Sequence, residues 1–530
     1  LRTRQFPEDA GPLAHSVRPE SYLEINNYYT ATVYDKGAEV IRMYEKLFGK
    51  ENFLKGCALY FARHDGQAVT IDDFAKCQED ANNADLTQFK RWYSQAGTPV
   101  VTAKADYDAA AKKYVLTLTQ ETKPTPGQPE KLPFVIPLEI GLIGKDGRDL
   151  PLRLESEDEP RGTSRTLVLD KPEQTFTFVD VPEKPVLSAN RDFTAPINFV
   201  MDYTDAERIH QVRYDSDLFN RWDASQQYAV KLMLEMIKAV QNGEKEPAVS
   251  EEYIKLWGEY LLNKDLNPAY IARLITLPQE NYMADKMDVV DVDAIHIVRA
   301  QMKKALAARY KQELLAVYHE NDTSDQPYRF TTEDAAKRSL KNMALSFLGN
   351  LETEEIDQMV QRQYFSADNM ADKLAAMNIC SNSKDPKRDE ILEDFYQQNK
   401  NDAGVINKWL FSCACADRPD AVSVVRRLME HPAFEMTNPN KLRSVMGGFA
   451  YNQPEFHKAD GSGYVLAAEM AVKVDEFNPQ MACHMVRPMV RWKRFDKKRQ
   501  EMMKAALQKV LNKKGLSKNV YELVSKSLAE

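Results

Sequence analysis

Asn26-Asn27-Tyr28-Tyr29-Thr30-Ala31-Thr32-Val33-Tyr34-Asp35-Lys36-Gly37-Ala38-Glu39-Val40-Ile41-Arg42-Met43 is the stretch from which the rest of the chain can be read. Its first half, Tyr28 to Tyr34, is a β-prone run of aromatic and β-branched residues. Its second half turns helical, with Ala38, Ile41, Tyr44 and Phe48 at helical spacing and Gly49 as a C-terminal stop. Tyr34 stands just ahead of that helix. Two readings are open to it: a packed tyrosine whose hydroxyl is satisfied, or a phenol projecting into a cleft.

Working outward, Leu1 to Glu20 is loop-like, with Pro7, Pro12 and Pro19, and its lone His15 reads as a hydrogen-bonded structural residue. Glu51 to His64 and Thr70 to Asn83 are helical in pattern, the second opened by Thr70 with Asp73 three positions on. Residues 1–97 therefore read as a mostly helical segment. The texture changes over 98–199. Val100 to Ala103, Tyr114 to Thr119 and Thr175 to Val179 are short alternating runs separated by Gly- and Pro-rich turns, which is the pattern of a β-sandwich. The proline-rich stretch Pro124 to Pro137 lacks a clean P-x-x-P array and reads as a loop plus an edge strand. Residues 200–530 are helical almost throughout, with nine glycines in 331 residues. Ala224 to Gln241, Ala294 to His319, Asp334 to Phe347 and Tyr464 to Val474 carry the helical period. Asn438-Pro439 and Asn478-Pro479, 40 residues apart, both combine a capping Asn with Pro at the first helical position. That distance is close to the period of HEAT or armadillo helix pairs and suggests an irregular α-solenoid.

Composition excludes several classes. A net charge of −8, from 79 acidic against 71 basic side chains, argues against a general nucleic-acid or membrane-surface binder. No apolar run approaches the ~20 residues of a membrane helix. Six scattered cysteines read as reduced thiols of a cytoplasmic protein. The basic C-terminal stretch from Arg487 to Lys526 reads as the solvated face of terminal helices whose buried stripe is Met489, Trp492, Met502 and Leu507. Glu251-Glu252 and Glu354-Glu355 are helix-start charges. His319-Glu320 begins like a zincin motif, but Thr323 stands where the second histidine is needed, and no two of the eight histidines are four apart.

Tyr34-Asp35-Lys36-Gly37-Ala38 resembles the Tyr-x-Lys-Gly-Ala segment of zinc aminopeptidases of the aminopeptidase N family. Arg91-Trp92-Tyr93-Ser94-Gln95-Ala96-Gly97-Thr98-Pro99 resembles the segment closing that family's catalytic domain, and the likeness continues through Asn438 to Ser444 to the C-terminus. It covers essentially all 530 residues and is closest to the bacterial group. The resemblance implies a multidomain, mainly α architecture: the end of a helical thermolysin-like catalytic domain, a β-sandwich spacer, and a solenoid enclosing an active-site chamber. The family's His-Glu-x-x-His helix, downstream Glu ligand and Gly-x-Met-Glu-Asn segment precede the tyrosine and are absent here. With Leu1 in place of an initiator Met, the chain reads as the C-terminal portion of a larger enzyme. The rest of that protein is then its partner and supplies Zn²⁺.

The same resemblance assigns roles. Tyr34 becomes a hydrogen-bond donor to the oxyanion of peptide hydrolysis, a task suited to a phenol. Asp35, where relatives often carry Glu, leaves that hydroxyl unaltered. Tyr29 becomes a wall of the pocket for the substrate's first side chain, with a core aromatic as the alternative; Asn26 and Asn27 order the loop. Arg443 faces the chamber and meets the C-terminal carboxylate of a peptide, against the ordinary reading of a solvated surface arginine. Gln480 and His484 share a helix face, and His484 stands where some relatives have arginine, which makes its contact weaker and pH-dependent. Peptides with a free N-terminus are the expected substrates, and a monomer is the simplest assembly. The rival readings are a non-enzymatic α-solenoid scaffold and, disfavoured by charge, an RNA-binding helical repeat.

Overall fold

The computed structural model describes residues 1–529. They pack as two compact units, Leu1–Tyr228 and Ala229–Glu530, with the boundary inside the helix Leu218–Gln241.

In the first unit the helices Gly37–Phe48, Lys50–His64 and Ile71–Asn82 follow one another. Gly49, at φ +78°, turns the chain between the first two in a conformation that disfavours any side chain. The Asp73 carboxylate accepts from both the backbone N–H (2.7 Å) and the hydroxyl (2.8 Å) of Thr70, fixing the start of the third. The β-prone run is not a strand. Ile25–Tyr28 form a 3₁₀ turn, and Thr32–Lys36 form a turn of π-helix that runs into Gly37–Phe48. The Glu8 carboxylate accepts from the amide of Thr32 at 2.8 Å and from its hydroxyl at 2.7 Å, so no neighbouring strand is needed. Tertiary partners override the β propensity. The helix face is also displaced: Val40, Met43 and Tyr44 are fully buried, Ile41 and Phe48 only partly, and Ala38 is exposed.

Seven strands follow: β1 (Val100–Asp108), β2 (Lys113–Glu121), β3 (Ile136–Ile143), β4 (Ser164–Leu169), β5 (Glu173–Phe178), β6 (Val186–Ala189) and β7 (Asn198–Val200). They form a four-stranded sheet in the order β5-β2-β1-β7 and a three-stranded sheet in the order β4-β3-β6. β7 joins β1 in parallel, and the other pairings are antiparallel. Period-two alternation holds in β2, where Tyr114, Leu116 and Leu118 point inward. It fails in β3, which is central rather than the expected edge strand and is buried on both faces. Pro137 is tolerated because it pairs only with Val168 of β4, while β6 joins β3 from Ile140 onward. One hydrophobic core runs through helices and sheets alike, from Val17, Val40 and Tyr44 through Trp92, Phe134 and Ile140 to Ile197.

The second unit is helical. Asn438 and Asn478 cap as expected, and Asn267, also followed by proline, is a third such cap. The expected run Ala294 to His319 is two helices, Val292–Arg309 and Lys311–Glu320, broken at Tyr310. The Tyr310 ring is seated on Gly258, where an added Cβ would lie 2.2 Å from it. In the C-terminal stripe Met489, Trp492 and Leu507 are buried, but Met503 takes the place expected of Met502. Asp496, by capping the helix Lys497–Leu511, sets that phase.

His457 is buried, with its ring stacked on Phe495 at 4.4 Å and Nδ1 3.0 Å from the Tyr464 hydroxyl. Burial, with the Arg499 charge adding to it, pushes its pKa down to about 3. The folded state therefore holds it neutral, while the unfolded chain takes up a proton below ~6.5. Its contribution is intact above that pH and falls by roughly 1.4 kcal/mol per pH unit below it. Histidine-labelled NMR spectra at pH 5 are expected to show a neutral His457; a protonated ring there would refute this.

Candidate active-site turn and substrate-binding helices

Tyr34 projects from the middle of the π turn, and the residues two positions either side of it, Thr32 and Lys36, are fully buried. The Lys36 ammonium donates to the Asp9 carboxylate at 2.9 Å and to the Gly97 carbonyl at 2.8 Å, and lies 5.8 Å from the centre of the Trp92 ring. Asp9 also accepts from the Thr98 hydroxyl at 2.8 Å. Gly97 has φ +96°, and an added Cβ would stand 2.9 Å from a Thr122 methyl. Thus the segment Arg91 to Pro99 is latched to the tyrosine turn by one lysine. Sequence reasoning missed Lys36, Asp9 and Glu8. The available signal was a lysine inside the Tyr-x-Lys-Gly-Ala segment, flanked by residues that pack.

Tyr34 itself is 62% exposed, and its hydroxyl makes no hydrogen bond among the described residues. That sets it apart from Tyr44 and Tyr93, which are buried with their hydroxyls 3.0 Å apart. Tyr29, 54% exposed, places its ring 6.3 Å from that of Tyr34. Tyr28 continues the contact edge-on at 5.8 Å from Tyr29, and Tyr22 lies 6.0 Å from Tyr28. The result is a strip of four tyrosines ending on an unpartnered phenol. Asn26 holds its loop through Glu24 at 2.9 Å, and His15 meets the Thr30 hydroxyl at 2.8 Å.

A separate group forms in the second unit. The Asn438 side chain accepts from the amides of Asn440 (3.0 Å) and Lys441 (3.3 Å), and one turn on Arg443 is exposed. Its guanidinium reaches the Met481 sulfur at 3.5 Å, which brings Arg443 against the helix Pro479–Val486. Gln480 is exposed at the start of that helix, and His484 is half-buried one turn later. Burial, followed by the charges of Arg487 and Arg443, pushes the His484 imidazole down to about 4. At neutral pH it is an uncharged hydrogen-bonding group. Among the described residues, no group of three or more His, Cys, Asp or Glu side chains is placed to hold a metal ion. All six cysteines are free thiols, four of them buried.

Helices followed by a sandwich and a helical array define a class, and three family models match the chain in that order. Residues 2–93 match the peptidase family M1 domain, 97–202 the DUF3458 domain with an Ig-like fold, and 205–529 the DUF3458_C domain of ARM repeats. The last covers more than half of the chain, which therefore belongs to the DUF3458_C family and is a homologue of aminopeptidase N. It is 40% identical over 530 residues to aminopeptidase N of Escherichia coli, covering 100% of this chain and 60% of that protein. The aminopeptidase N of Caulobacter vibrioides is 39% identical over 531 residues, covering 100% of this chain and 59% of the relative. A crystal structure of Legionella pneumophila aminopeptidase A in complex with aspartic acid superposes with a TM-score of 0.87 at 27% identity, covering 98% of this chain and 59% of the other. The chain thus spans about 60% of the length of the relatives it matches.

Replacing Lys36 with Met leaves the Asp9 carboxylate buried without its cation. The expected loss is ~3–5 kcal/mol, typical of breaking a buried pair from one side. Denaturant unfolding followed by Trp92 fluorescence checks it, and an unchanged midpoint would show that the latch is dispensable.

Proposed function

We propose that this chain is the C-terminal part of a zinc aminopeptidase that removes N-terminal residues from peptides. In this reading residues 1–97 complete the catalytic domain, 98–199 are a β-sandwich spacer, and 200–530 are a HEAT/armadillo-like solenoid enclosing the substrate. The protein is cytoplasmic and monomeric. Zn²⁺ bound outside these residues supplies the metal chemistry. The observation that carries the proposal is Tyr34: an exposed phenol with no partner, on a turn whose two ends are fully buried.

A donor held this way stabilises negative charge that develops on the carbonyl oxygen as water adds to a peptide bond, without reorganising at the moment of reaction. The buried Lys36 and Thr32 hold the backbone, so the hydroxyl's position is set before substrate arrives. Tyr29, in ring contact with Tyr34, walls the pocket for the first side chain and accepts large apolar or basic groups, the latter through cation–π attraction. Arg443 pairs with the C-terminal carboxylate of a peptide, which guanidinium does bidentately. Gln480 and a neutral His484 add hydrogen bonds without charge.

In the complete protein, Tyr34→Phe is expected to retain zinc and lose ~100-fold or more in turnover of an aminoacyl arylamide. Unchanged turnover would remove Tyr34 from the mechanism. A wild-type protein with neither zinc nor turnover would favour a non-enzymatic binding scaffold.

Arg443→Ala is expected to raise KM about tenfold for short peptides with a free C-terminus, while leaving their C-terminally amidated counterparts unaffected. An equal effect on both would remove the carboxylate contact.

A further inference from the structure

A cavity of about 930 Å³ lies within the second unit, on the side of the helix Val292–Arg309 that presents His296, Arg299 and Lys303. Their spacing of three and four places the three side chains on one helix face. Their electrostatic situations differ. His296 is clamped by carboxylates on both nitrogens, Glu280 at 2.9 Å from Nδ1 and Asp417 at 3.1 Å from Nε2. The bonds to Asp417 and Glu280 raise its pKa to about 10, so at neutral pH this imidazolium bonds to both carboxylates while its single charge offsets one of their two. Of the cavity's other carboxylates, Glu352 pairs with Lys384 at 2.9 Å and Glu246 is exposed.

Arg299 and Lys303 are left over. The Arg299 Nε donates to the Pro278 carbonyl at 2.9 Å, but its two terminal nitrogens bond to nothing among the described residues. Lys303 has neither a hydrogen bond nor an ion pair there. Burial lowers the pKa of both, and Lys303, with Arg299 beside it, is pushed down to about 8. Three buried cations elsewhere are each answered by carboxylates. Lys36 has Asp9, Lys341 has Asp322 and Asp372, and Arg191 has Asp149. Even Lys131, likewise pushed down to about 8, donates to the Ala96 carbonyl, the Thr125 hydroxyl and the Gln128 side chain.

We propose that Arg299 and Lys303 form an oxyanion-binding site in this cavity, taking a carboxylate or a phosphate group. A planar fork beside a point charge suits either ion: guanidinium pairs with two oxygens and ammonium meets a third. The cavity volume is within the range of small-molecule sites. His296, Arg299 and Lys303 together carry one positive charge more than Glu280 and Asp417 offset, and a bound anion supplies that countercharge.

Calorimetric titration of the complete protein with sodium phosphate and, separately, with N-acetylglycine tests the site. N-acetylglycine has a carboxylate but no free amine, so it lacks the group an aminopeptidase site selects. Wild type is expected to bind at least one of the two saturably, and Lys303→Met and Arg299→Gln each to weaken that binding tenfold or more. Lys303→Arg is expected to restore it, which separates lost charge from lost fold. Binding of phosphate alone, N-acetylglycine alone or both identifies the ion taken. Binding of neither, or equal affinity in wild type and both Arg299→Gln and Lys303→Met, overturns the proposal.

Discussion

The buried contact between Lys36 and Asp9 is the constraint on which the tyrosine turn depends. An ammonium with no exposed surface is expensive unless its protons are all answered. Here a carboxylate, a backbone carbonyl and the face of an indole answer them. Each partner comes from a different part of the chain: Asp9 from the N-terminal helix, Gly97 from the turn before β1, and Trp92 from the short helix Arg91–Ser94. The ion pair therefore contributes register more than stability, because an apolar trio of equal volume would pack as well without fixing where Tyr34 stands. The single core from Val17 to Ile197 follows the same logic, since helices and sheets share it.

The legible parts of the sequence were those where local chemistry and burial agree. Thr70 with Asp73, Asn438-Pro439 and Asn478-Pro479 each satisfy orphan amides within four residues, so the signal is complete in the local sequence. β2 is half-buried and keeps its alternation. β3 was misread because burial on both faces erases the alternation, and its flanking prolines then looked like an edge. Tyr28 to Tyr34 was misread for the complementary reason. Its amide partner, Glu8, lies 24 residues before Thr32, and no window of local propensity contains it.

The candidate site shows the same division. Tyr34 was legible through its motif and is exposed and unpartnered, as an available donor must be. What holds it was not legible, because Lys36 and Asp9 are 27 residues apart and each looks like a surface charge until both are buried. Arg443, Gln480 and His484 were singled out through the family resemblance, on helices whose starts the Asn caps make conspicuous. The electrostatic state of His484 was beyond the sequence, since Arg443 reaches it from another helix.

That state bears on how the second unit would treat an anionic substrate end. Burial disfavours a positive charge on His484, and two nearby arginines, Arg487 and Arg443, disfavour it further. A neutral imidazole keeps the local charge from growing while still offering a donor. An arginine at the same position would add a fixed cation in a half-buried place already crowded with two. In the proposed reading, attraction for a carboxylate would rest on Arg443, with His484 beside it as an uncharged hydrogen-bonding group.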